Sequence, residues 1–83
     1  MGQLNHHQKG RELARKIDLG RYLRDARIAR GLSAAEVAER AGVSTASVYF
    51  WESARSRPRE ANLVALCKAL RLPIRATRDL AAQ

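Results

Sequence analysis

The chain is short of cysteine, proline, acid and long apolar runs, and each shortage excludes something. One cysteine among 83 residues, Cys67, rules out an internal disulfide and suits a reducing cytoplasm. It stands among Leu63, Leu66 and Leu70, which marks a buried structural thiol rather than a reactive one. Two prolines and five glycines leave no low-complexity run or internal repeat. With β-branched residues only scattered, helices are favoured over a sheet. No stretch approaches the roughly 18 apolar residues of a membrane span. No signal peptide is visible, and His6 stands where a myristoylation signal needs Ser or Thr. His6 and His7 are adjacent and lack a Cys or acid at metal spacing, so a tail is expected and no metal. No nucleophile, base and orienter combine, and no glycine-rich phosphate loop occurs. An enzyme, a cofactor and a small-molecule ligand are therefore not expected.

Acid is scarce too. Eight Asp and Glu against sixteen Lys and Arg leave a net charge of +8 and a pI near 11.1. That balance implies a polyanionic partner, most often nucleic acid; solubility alone is the plainer alternative. Residues 19–31 carry Arg21, Arg24, Arg27 and Arg30 against one acid, Asp25. Residues 52–59 carry Arg55, Arg57 and Arg59 against Glu52. The stretch between, 33–41, is slightly acidic.

Eighty-three residues make one small domain with a modest core. Residues 1–9 are polar and read as disordered or arm-like, and the division expected is an arm or helical extension over 1–16 and a folded domain over 17–83. Leu19, Leu23 and Ala26 recur at helical spacing, predicting a first core helix over 19–30 closed by Gly31. Residues 11–18 read as a further helical piece, either continuous with the first helix or separate from it. A second helix is predicted over 33–41, a third over 45–53, and a fourth over 60–70 with Leu63, Leu66, Cys67 and Leu70 on one face. Pro73 breaks the chain and can open a short fifth helix, whose stripe of Ile74, Ala76 and Leu80 is weak. The fold class expected is all-α, a compact five-helix bundle.

The segment SAAEVAERAGVSTASVYFWE, residues 33–52, carries the functional signal. Ser33 and Glu36 have the spacing of a capping box. Gly42 supplies positive φ for a sharp turn, and Ser44 can cap the next helix. Val48 and Trp51 share one side of that helix and face back toward Val37 and Ala38. Two short helices about a tight glycine turn make a helix-turn-helix, whose second helix enters the major groove of DNA. With Val48 inward, Ala46, Phe50 and Ser53 point outward, and Thr45 and Tyr49 lie on the flank. No Arg, Asn or Gln occupies that face. Readout then falls to the hydroxyls of Thr45, Ser47 and Tyr49 and to apolar contact of Ala46 or Phe50 with thymine methyls; packing of Phe50 on a protein partner is the alternative. Arg55, Arg57 and Arg59 follow where phosphate contacts are expected. Lys9, Arg11, Arg15 and Lys16 can form an arm along the backbone or into the minor groove.

The run Leu19-Gly20-x-x-Leu23-Arg24-x-x-Arg27, then Gly31-Leu32-Ser33, Val37-Ala38, Ala41-Gly42-Val43-Ser44, Val48-x-x-Trp51-Glu52 and Pro58 resembles the Cro/CI-type helix-turn-helix of phage repressors, the XRE family, over about residues 17–74. The resemblance implies the lambda-repressor-like bundle of about five helices and a regulator that binds operators as a dimer. It implies an ion pair of Arg27 with Glu52 that fixes the third helix and turns Arg27 toward phosphate. It places DNA contacts at Ala34, Thr45, Ala46, Ser47, Phe50 and Ser53. Two positions depart from the family pattern. Ala34 replaces the usual phosphate-contacting Gln, and Ala54 replaces the usual Gly. A left-handed non-glycine residue costs on the order of 1 kcal/mol, which favours a different ending for the third helix.

The function expected is that of a sequence-specific regulator on double-stranded DNA, a Cro-like repressor that blocks polymerase, either as a homodimer meeting through helix four or five or as a monomer. A cytoplasmic, nucleoid-associated place in a prokaryotic cell or phage-infected host goes with it, without a membrane. An antitoxin with an autoregulatory helix-turn-helix and an architectural DNA binder are the two other readings.

Overall fold

Asp18 opens the first helix: its backbone is extended (φ −88°, ψ 175°) and its side chain accepts the Arg21 N–H at 2.9 Å. The computed structural model describes residues 18–83. The arm of Lys9, Arg11, Arg15 and Lys16, the helical piece read over 11–18 up to its last residue and the tail reading of His6-His7 thus lie outside the described residues; that last residue, Asp18, is extended rather than helical. Five helices follow in order: α1 (Leu19–Ala29), α2 (Ala34–Ala41), α3 (Thr45–Glu52), α4 (Glu60–Leu70) and α5 (Ile74–Ala81). No strand occurs among the described residues, so the all-α five-helix bundle read from the sequence is the fold. Because Asp18 caps α1, this helix has its own beginning at Leu19.

The start of α2 is a complete capping box. Ser33 Oγ accepts the Glu36 N–H at 3.1 Å, and Glu36 Oε1 accepts the Ser33 N–H at 3.0 Å. Two donors that a helix start leaves without partners are thus satisfied together. At α3 the cap is single: Ser44 Oγ accepts the Ser47 N–H at 3.1 Å.

Four helix ends share one device. Gly31 (φ 67°), Gly42 (φ 72°), Ala54 (φ 62°) and Arg71 (φ 54°) all adopt the left-handed conformation. After each, the next residue's N–H returns to a carbonyl five positions back: Leu32 to Arg27, Val43 to Ala38, Arg55 to Phe50, and Leu72 to Cys67, at 2.9–3.1 Å. This is the Schellman arrangement. It corrects the expectation for Ala54. The α3 end makes a left-handed turn although no glycine is there, because the Arg55 bond to Phe50 and the Ala54 bond to Trp51 hold it.

The core gathers Leu19, Leu23 and Ala26 of α1, Ala34, Val37 and Ala38 of α2, Val48 and Trp51 of α3, and Leu63, Leu66 and Leu70 of α4. Cys67 is buried beside them. α2 packs on α3 and α4, α1 packs on α3, and α5 packs on α4. One detail of α5 differs from the sequence reading. Ala76 is exposed, and the residue sealed beneath the helix is Thr77, with no accessible surface. Its hydroxyl donates to the Pro73 carbonyl at 2.7 Å, so the buried polar group is satisfied.

Two features fix α3 against α1. First, Gly20 lies directly on the last turn of α3. A Cβ there would stand 2.5 Å from the Trp51 carbonyl oxygen and 2.6 Å from that of Glu52. Second, Arg27 grips Glu52 in a two-point bond. Nε donates to Glu52 Oε2 at 2.7 Å and Nη2 to Oε1 at 3.0 Å. Nη1 donates to the Leu32 carbonyl at 3.0 Å, tying the α1–α2 turn to the same guanidinium. The two side chains are only 15% and 7% exposed. The hydrogen bonds to Glu52 raise the Arg27 pKa above its ordinary value; the group stays charged at any working pH.

These contacts yield three expected outcomes for thermal unfolding followed by circular dichroism. Ala54→Gly removes left-handed strain and should add about 1 kcal/mol, a rise of roughly 4–8 °C for a domain of this size; an unchanged midpoint would sink the assignment of strain. Gly20→Ala must push backbone against backbone and should cost about 3 kcal/mol. For the ion pair, a double-mutant cycle of Arg27→Met and Glu52→Gln should show a coupling of about 1–3 kcal/mol. Arg27→Lys should not restore it, since an ammonium cannot make the forked contact.

Candidate nucleic-acid interface

The surface of α3 divides sharply. Val48 and Trp51 are buried, Thr45, Ser47 and Glu52 are partly covered, and Ala46, Tyr49, Phe50 and Ser53 are exposed. Tyr49 retains 55% and Phe50 45% of its surface. Single exposed apolar residues need no explanation, but two large exposed rings in succession on one short helix mark its outer surface as a contact candidate.

Two hydroxyls on and beside this helix are engaged by the chain itself. Ser47 Oγ lies 2.9 Å from the capping oxygen of Ser44. Ser53 Oγ donates to the Tyr49 carbonyl at 2.8 Å, also reaching that of Phe50, and so helps close the helix. A hydroxyl has one proton to give, so Ser53 in this state offers a phosphate no donor. The outward chemistry is that of the Ala46 methyl, the Phe50 ring and the Tyr49 ring with its hydroxyl.

Ala34, singled out as a phosphate contact, is 2% exposed. Its methyl faces the core and cannot meet a phosphate. Only its backbone N–H, in the first turn of α2 where such groups lack intrahelical partners, remains for that purpose. Arg27 is likewise committed: three of its five N–H groups serve the fold.

The three arginines after α3 separate. Arg57 Nη1 donates to the Ala81 carbonyl at 2.7 Å, binding the loop to the end of α5. Arg55 and Arg59 are exposed and enter no ion pair among the described residues. Arg24 belongs with them and was visible in the sequence only as one of a cluster. It lines a shallow groove with Arg27, Tyr49, Glu52 and Ser53, beside the exposed Tyr49 ring. The signal that marks it is its place one turn before Arg27, away from the Leu19, Leu23 and Ala26 stripe. Of its neighbours, Arg21 lies 3.9 Å from Asp25, and Arg30 donates to the Ala26 carbonyl at 3.1 Å.

The capping box at the N-terminus of α2 carries a pH signature. The Ser33 N–H, together with the Ser33 hydroxyl, holds the Glu36 carboxyl below the usual carboxylate range. A depressed pKa in the folded state means stabilisation that is full above the unfolded value and is lost as pH falls through the lowered one. Between neutral pH and about pH 3, Glu36→Gln protein should therefore lose less thermal stability than the wild type; parallel curves would refute the role of this carboxylate.

No helix of the described residues is long and apolar enough to cross a membrane, and among those residues no group of three or more His, Cys, Asp or Glu could hold a metal ion. No curated protein matches the chain. A family profile described as a helix-turn-helix domain matches residues 18–81. That span covers all five helices, with the two-helix unit α2–α3 and its Gly42 turn at the centre. By this match the chain belongs to the helix-turn-helix domain family, whose kind points to a DNA-binding regulator and is typically non-enzymatic.

Proposed function

We propose that this protein is a sequence-specific regulator of transcription that lays α3 in the major groove of double-stranded DNA, as a Cro-like repressor of phage or mobile-element type. The observation that supports it best is the setting of α3. Its exposed face lies beside Arg24 and is followed directly by Arg55 and Arg59, so cationic groups border a surface that itself carries no charge. Phosphate contacts position a protein on the duplex, and base contacts specify the site.

Roles divide accordingly. Thr45, Ala46, Ser47, Tyr49 and Phe50 face the bases. Arg55 and Arg59 take phosphates, joined by Arg24 and by the α2 amide of Ala34. Arg27 and Ser53 act chiefly by holding α3 in place, and Arg57 by holding the loop. Gly42, Val48, Trp51 and Glu52 shape the scaffold. Lys9, Arg11, Arg15 and Lys16, in the arm over 1–16, follow the backbone or the minor groove outside the domain over 17–83. Repression is steric: two copies on half-sites about 10–10.5 base pairs apart would block polymerase, in the cytoplasm and without a small-molecule effector. The exposed ring pair also suits a protein partner, so an autoregulating antitoxin is the second reading; co-purification with a toxin would favour it.

Selection from a randomised duplex pool should recover a defined motif, and recovery of none would overturn the specific-regulator reading. On the selected duplex, Arg55→Ala and Arg59→Ala should each weaken binding and reduce the slope of log affinity against log salt by about 0.9. An unchanged slope would remove them from the phosphate-binding set.

A further inference from the structure

We infer that the recognition helix reads its site through the 5-methyl groups of pyrimidines, so that the protein distinguishes thymine from uracil, and 5-methylcytosine from cytosine, at positions beneath Phe50 and Ala46. This deepens the DNA-binding reading and rests on it.

The inference follows from elimination on the exposed face. A base edge in the major groove offers acceptors on guanine, donors on cytosine, both on adenine, and an acceptor plus a methyl on thymine. Reading the polar features needs side chains with free donors or acceptors. Arg, Lys, Asn, Gln, Asp and Glu are absent from Thr45 to Trp51. Of the hydroxyls, Ser47 is paired with Ser44 and Ser53 is turned back on the helix. Thr45 is partly covered. The Tyr49 ring lines the groove with Arg24 and Arg27, which sets it to the α1 side. Tyr49 is the more exposed of the two rings at 55% against 45% for Phe50, but it lies in that groove; the exposed groups of the helix outside the groove are the Ala46 methyl and the Phe50 ring. The only major-groove feature that an apolar surface can favour over water is the pyrimidine methyl.

The occupant is DNA rather than an apolar protein surface because of what borders the rings. Arg24 shares a groove with Tyr49, the residue before Phe50, and the chain emerging from α3 carries Arg55 and Arg59, both exposed. A rim of guanidinium groups around a small apolar patch is complementary to phosphates around a methyl-bearing groove.

The test uses the whole chain and duplexes that differ only in methyl groups. The first pair is the duplex recovered by selection and the same duplex with deoxyuridine for each thymidine. The second pair is that duplex with cytosine or 5-methylcytosine at its CG steps. Anisotropy titrations at one fixed salt concentration give the affinities. Each buried methyl is worth about 0.8 kcal/mol of transfer free energy, so each lost methyl should cost about fourfold in affinity. Phe50→Ala should bring the thymine-to-uracil ratio toward one, and Phe50→Leu, still apolar, should keep most of it; circular dichroism establishes that both variants are folded. Equal affinity for the thymine and uracil duplexes, with tight binding to both, overturns methyl reading and leaves DNA binding standing. Absence of binding to any duplex, with an apolar peptide or protein captured through Phe50 instead, overturns both.

Discussion

Everything that α3 presents to a partner depends on the grip of Arg27 on Glu52. α3 has only eight residues, too few to hold a helical conformation alone in water. Its position is set by burial of Val48 and Trp51 on one side and by this forked bond at its last residue. Both groups are largely covered, so the bond is made away from bulk solvent and is correspondingly costly to break from one side. The third donor, to the Leu32 carbonyl, brings the α1–α2 turn into the same junction. One guanidinium therefore joins the end of α1, the approach to α2 and the end of α3. Gly20 completes the arrangement by letting the two helices approach until only a hydrogen can stand between them.

The same economy governs the helix ends. Four turns use one left-handed device, and only two of them have the glycine that makes it inexpensive. At Ala54 the conformation persists because its alternatives are worse. The chain must leave the helix after Glu52 and turn to deliver Pro58 and α4. Local strain is thus tolerated where tertiary contacts leave no other path. That is why the residue type at 54 misleads: propensity at one position is a small quantity beside a two-point ion pair and a buried tryptophan.

Much of the architecture could be read from residue spacing. Leu19, Leu23 and Ala26 mark α1, Leu63, Leu66, Cys67 and Leu70 mark α4, and Ser33 with Glu36 marks the start of α2, because these signals are local and periodic. The legible part of the candidate interface was the direction of each α3 side chain, which follows from 100° per residue once Val48 is placed inward. What could not be read is which polar groups remain free. Ser47 and Ser53 look available on a helical wheel, and Arg57 in its loop, yet each is engaged by the chain itself. Arg57 finds its acceptor at Ala81, 24 residues away, and no periodicity encodes that. The burial of Ala34 and Thr77 is similar: both depend on what α4 and its neighbours cover.

Commitment of those polar groups bears on how affinity and specificity can be divided. Each phosphate neutralised contributes through counterion release, a term indifferent to sequence and steep in salt. A polar reader forked onto a base can contribute about 1–3 kcal/mol of discrimination, but α3 has none to offer. A single apolar contact with a methyl is worth less, about 0.8 kcal/mol, so several positions must act together before one site stands out from the rest. Binding through one copy would then be dominated by charge and only weakly selective. Two copies double the number of methyl contacts while leaving each contact small, which makes a symmetric pair of half-sites the natural route from a sticky basic domain to a selective one.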